Sequence, residues 1–157
     1  MTDIADLERR LQRIEDERAI ERMIASYGPL VDAGEADAAA ELWAVDGSYD
    51  VEGWRMAGRA DVAAMVRSDA HQGLIGRGCC HFLGPAVVTV DGDDAVAMCD
   101  SILVTRRGDG FAVSRAGANH FRLRRIDDRW QIVERRTRML DGSVEARRLL
   151  TDGVAGR

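Results

Sequence analysis

Lysine is absent from this 157-residue chain, so all 22 of its basic side chains are arginine. That excludes Schiff-base chemistry, a P-loop and a lysine general base. Codon usage in a GC-rich genome accounts for the absence without a functional cause. Cysteine is scarce as well. Cys79, Cys80 and Cys99 form neither a CxxC motif nor a disulfide framework, and they read as inert thiols in a reducing compartment. The three histidines, His71, His81 and His120, show no metal-ligand spacing, so no metal is expected. No apolar run reaches the length of a membrane span and no signal-peptide core opens the chain, which makes the cytoplasm the expected location. A net charge of −5 excludes the basic face of a nucleic-acid binder.

What is present is an ordinary globular composition, 46% hydrophobic and 31% charged. The length suits one domain over residues 1–157, with a core at about 16–140 and a tail at 141–157 that is expected to fray or dock on a neighbour. Ile4, Leu7, Leu11 and Ile14 recur at helical spacing, and Ile20, Ile24, Tyr27 and Val31 continue the stripe toward Gly34, a suitable C-cap. Pro29 is expected to kink this helix. A second helix fits Glu35–Trp43, a strand Ser48–Val51 and a third helix Arg59–Asp69. From Arg77 the pattern becomes a meander, with strands at Gly78–Val90, Ala95–Arg106, Phe111–Ile126 and Trp130–Leu140. Helices followed by a meander predict an α+β fold, the N-terminal helices covering one face of a strongly curved antiparallel sheet and enclosing a pocket.

Two residues in this frame stand amid apolar neighbours where an unpaired charge is costly. Asp32 ends the first helix and His81 opens a strand. If the fold brings them together, the carboxylate orients the imidazole and favours its protonated form, making it a general base. Trp54, Phe82 and Met98 are candidate apolar pocket walls. Asn119 shares its strand phase with Phe121 and Leu123, which makes it an inward-facing candidate for binding substrate, whereas His120 shares the phase of Arg122 and Arg124 and faces outward.

The order of these phrases resembles the SnoaL-like superfamily, the cone-shaped fold of nuclear transport factor 2 and scytalone dehydratase. Its carriers are Ala19-Ile20-Glu21 leading to Tyr27 and Asp32, Asp46-Gly47-Ser48-Tyr49, Gly58-Arg59-Ala60-Asp61, His81-Phe82-Leu83-Gly84 and Arg125-Ile126-Asp127-Asp128-Arg129-Trp130. Within it the chain is most similar to the branch of scytalone dehydratase, bile-acid dehydratase and hexachlorocyclohexane dehydrochlorinase. That resemblance implies elimination by a His–Asp pair with a tyrosine, here His81, Asp32 and Tyr27, and without a cofactor. It implies a small, mostly apolar cyclic or ketone-like substrate, and a homo-oligomer, trimer or dimer. The second histidine that scytalone dehydratase supplies has no counterpart in Ala95–Arg106. The same base also suits an isomerase or cyclase, and the same fold suits a non-catalytic ligand-binding or interaction module.

Overall fold

The computed structural model describes residues 3–157. Helix α1 spans Ile4–Asp32 without interruption at Pro29. Burial along it begins at Asp16 and continues through Ile20, Ile24, Tyr27 and Val31, while the apolar stripe of Ile4, Leu7, Leu11 and Ile14 stays exposed. The helix stops in a Schellman turn: Glu35 N–H donates to the Leu30 carbonyl (2.9 Å) and Gly34 N–H to Val31 (3.2 Å). Gly34 takes φ +77°, a conformation that favours glycine. Asp32 is thereby held at a defined helix end.

Helix α2 is only Ala36–Ala40. Trp43, expected in that helix, instead opens β1 (Trp43–Val51), where its ring is fully buried and its Nε1–H donates to the Ser48 carbonyl. Then follow β2 (Trp54–Ala57), α3 (Arg59–Arg67) and α4 (Asp69–Arg77). The sequence pattern does not reveal α4, because Gly73 and Gly76 dilute its helical signal. The expected strand Gly78–Val90 is two strands, β3 (Cys79–Leu83) and β4 (Val87–Asp91), broken at Gly84-Pro85. The long strands are β5 (Asp94–Arg107), β6 (Gly110–Ile126) and β7 (Arg129–Met139).

The sheet order is β2-β1-β7-β6-β5-β3, with β4 also paired to β5. It is mixed, not wholly antiparallel as expected, because β1 runs parallel to β7. β1 reaches β7 from the helical layer, not through a hairpin, so turn geometry does not impose an antiparallel pairing. The inner face carries Ala97, Cys99, Phe121, Leu123 and Ile132, packed with α1, α2 and α3 into the core.

The tail is neither frayed nor left for a neighbour. It forms α5 (Val144–Val154), capped by Ser143, whose Oγ accepts the Ala146 N–H. This helix covers the outer face of β5 and β6. His120 faces it there, its Nε2 2.6 Å from the Arg157 carbonyl, and a Cβ at Gly153 would strike Met98. Arg138 on β7 bridges Glu145 and Asp50, tying α5 to the sheet.

Candidate active site

Between the helices and the concave sheet lies a cavity of about 370 Å³. Val51, Met56, Met65, Leu74, Leu83 and Leu103 supply apolar wall, and Tyr27, Tyr49, His71, His81, Arg115 and Arg135 supply polar groups together with three hydroxyl side chains. Trp54 stands at its mouth, 59% exposed.

Asp32 and His81 meet. His81 Nδ1 lies 2.6 Å from Asp32 Oδ1, and Asp32 Oδ2 accepts the His81 backbone N–H at 2.8 Å. A carboxylate only accepts hydrogen bonds, so Nδ1 carries the proton and Nε2 keeps its lone pair. The Cys79 thiol also donates to Asp32 Oδ1 (3.4 Å). Gly28 permits the approach: it sits one turn before Asp32 on α1, and a Cβ there would run into the His81 carbonyl. Close backbone contact between α1 and β3 thus brings the two side chains within reach.

His71, on α4, escaped the sequence reading together with its helix. Its ring stacks on that of His81 at 5.6 Å between centroids, and its Nε2 lies 3.0 Å from the Val31 carbonyl. His81 is therefore held on one side by Asp32 and on a ring face by His71. Burial pushes the His81 imidazole below its ordinary value of 6.5; Asp32 opposes this, while His71 and Arg115 add to the lowering. Burial outweighs the carboxylate, so the imidazole is kept neutral, not favoured in its protonated form as expected.

Arg135 also went unnoticed among the several arginines of strand β7. It is 2% exposed, its guanidinium lying 4.2 Å over the Tyr27 ring and 4.4 Å over Tyr49. Nη2 donates to Asn119 Oδ1 (2.8 Å), while Nε and Nη1 have no partner. Burial raises the Tyr27 phenol well above the usual tyrosine value, so it stays a hydrogen-bond donor.

Asn119 points inward, fully buried, but its amide is spent inside the wall: Oδ1 accepts from Arg135 and Thr137, and Nδ2 donates to Ser101 Oγ (2.8 Å). It positions Arg135 and does not line the cavity. Phe82 and Met98, expected as pocket walls, lie outside it. Phe82 neighbours His81 on one strand and must face the other way, 54% exposed. Met98 is paired with His120 and shares its outer face beneath α5. Tyr27 and Asp32 need not share the cavity, since Asp32 reaches His81 from behind the cavity wall.

Asp32, Cys79 and His81 also place three ligand-type atoms within 4.8 Å of one another, the one such group among the described residues. The donor set is a poor one. Burial and Asp32 push the Cys79 thiol up to about 11, away from the thiolate that metals need, and both Asp32 oxygens are already engaged.

Residues 12–136 match the SnoaL-like domain model. The chain belongs to that family. SnoaL-like domains fall within the nuclear transport factor 2-like superfamily, which includes dehydratases and isomerases. A nuclear transport factor 2-like protein with a cystatin-like fold from Novosphingobium aromaticivorans is 44% identical, with a TM-score of 0.93 over 96% of this chain and 98% of its own. A protein of unknown function from Mycobacterium tuberculosis is 22% identical, with a TM-score of 0.73 over 92% of this chain and 89% of its own. A candidate scytalone dehydratase from Novosphingobium aromaticivorans is 19% identical, with a TM-score of 0.67 over 81% of this chain and 85% of its own. The latter two likenesses concern the fold alone. Comparison with curated proteins found no match. No helix among the described residues is long and apolar enough to cross a membrane.

Proposed function

We propose that this SnoaL-like protein is a cofactor-independent lyase that eliminates water from a small cyclic ketone-like substrate. The observation that carries the reading is the 2.6 Å contact between His81 Nδ1 and Asp32, which leaves the Nε2 lone pair on an imidazole that lines an apolar cavity. His81 Nε2 removes a proton from the carbon beside the carbonyl, and the electron pair moves onto the carbonyl oxygen. The Tyr27 hydroxyl on the cavity wall supplies a donor for that developing oxyanion, and the Arg135 guanidinium packed over its ring adds positive charge nearby. The enolate then reforms the carbonyl, and the pair moves to make the carbon–carbon double bond. The hydroxyl on the next carbon leaves as water, taking its proton from the His81 imidazolium.

Isomerisation shares the first step and differs only in what the enolate does next. A non-catalytic module would leave His81 satisfied by backbone groups, and the Asp32 contact speaks against that. Incubation with paired ketones, with and without a β-hydroxyl, tests the proposal. Water loss from the hydroxylated members only, abolished in His81→Ala, is the expected result. Double-bond migration in the unhydroxylated members would point to an isomerase, and no turnover of any ketone would overturn the enzymatic reading.

A further inference from the structure

Apart from the neutral phenols of Tyr27 and Tyr49, the ionisable residues lining the cavity are His71, His81, Arg115 and Arg135, with no carboxylate among them, although the chain as a whole carries −5. Two other arginines drawn in from the surface are matched by acids: Arg125 with Asp16 and Asp93, and Arg138 with Asp50 and Glu145. Arg115 and Arg135 have no carboxylate partner among the described residues. Positive charge left unmatched in an apolar recess is costly unless a ligand balances it.

The two arginines are placed for different tasks. Arg135 is buried beside Tyr27 at the floor, where the reacting carbonyl is proposed to sit. Arg115 is half-buried on β6, opposite Leu103 of β5, which is in turn opposite His81 of β3. Cross-strand partners share a face, so His81, Leu103 and Arg115 form one row along the cavity wall. Two strand spacings separate the backbones of His81 and Arg115, about 10 Å. A ring-sized molecule spans that interval.

We infer that the ligand carries a carboxylate remote from its reacting carbon, and that Arg115 is the specificity-determining residue that binds it. One free guanidinium balances one negative charge and meets a carboxylate fork-to-fork, which favours a carboxylate over a phosphate dianion. Naming the ligand a substrate rests on the lyase reading; the anion site itself does not.

The test is binding, with calorimetry at low ionic strength using 4-oxocyclohexanecarboxylate and its neutral carboxamide as probes. The carboxylate is expected to bind at least about tenfold more tightly than the carboxamide to the native chain. Arg115→Gln should abolish that preference, and His81→Ala should retain it. A carboxylate that binds no better than the carboxamide, or a preference that survives in Arg115→Gln, overturns the inference. Preference without turnover of any hydroxyketone would sink the lyase reading alone. Turnover of neutral ketones without preference would sink only the anion site.

Discussion

Asp16 and Asp32 lie at opposite ends of the buried half of α1, and each meets a basic partner. Asp16 accepts from Arg125 (2.7 Å), Trp130 Nε1 (3.1 Å) and Gln12 (3.2 Å), and Arg125 lies over the Trp130 ring. Burial would raise its pKa, but these hydrogen bonds outweigh burial and hold the carboxyl below its usual value. Every group around it is permanently committed, so it pins the helix to the far end of β6 and β7. Asp32 meets an imidazole that burial keeps neutral, at the edge of an apolar cavity. A buried carboxylate matched with a permanent cation fastens the fold. One matched with a titratable, neutral ring leaves a lone pair available for chemistry.

The comparison breaks first at the carboxylates themselves. Asp32→Asn is expected to lower turnover by ~10²–10⁴-fold, since the amide can donate to Nδ1 and turn the lone pair away from the cavity. Asp16→Ala should leave turnover unchanged and cost about 2 kcal/mol in urea unfolding, because it strands Trp130 Nε1 and leaves Arg125 only Asp93. Equal losses of turnover in the two variants would erase the distinction.

A smaller effect is expected at Gly28→Ala. The added methyl meets the His81 carbonyl and must push β3 from α1, at about 1–3 kcal/mol by overpacking. Melting temperature and turnover should fall together; a variant as stable and active as the native chain would show that the close approach is not required.

Acid separates the two sites most gently. The His81 pKa is lowered on folding, so the unfolded chain binds a proton more readily once pH falls below 6.5. The neutral imidazole's contribution to stability is therefore lost progressively below that value, and the acid limb of kcat/KM lies below 6.5 as well. Asp16 keeps its contribution until pH falls below 3.8 toward its lower folded value. An acid limb above 6.5 would contradict the effect of burial on His81.

The layered architecture and the limits of β5, β6 and β7 were legible in the sequence because long alternating runs end in Asp-Gly and Asp-Asp turns. Asp32 and His81 were legible as candidates, because each stands amid apolar neighbours, but their contact depends on the close approach of α1 to β3 at Gly28. The two misplaced pocket residues follow from applying strand alternation at Asn119 but not at His81 or Met98. His71 was hidden by a glycine-diluted helix, and Arg135 by its composition: among many arginines on β7, only packing tells the one that points inward. The parallel pairing of β1 with β7 depends on where the helical layer delivers the chain, which no local pattern encodes.

The contact between Asp32 and His81 spans 49 positions of chain and is made by a five-residue edge strand. Its closure carries the loop entropy of a distant encounter, and little local structure prepares it. A molecule that has formed α1 and the β5-β6-β7 ribbons, with β3 not yet seated on both, has nearly all its architecture and no oriented base. Chemical competence in this chain therefore depends on the seating of one short edge strand, and not on the core alone.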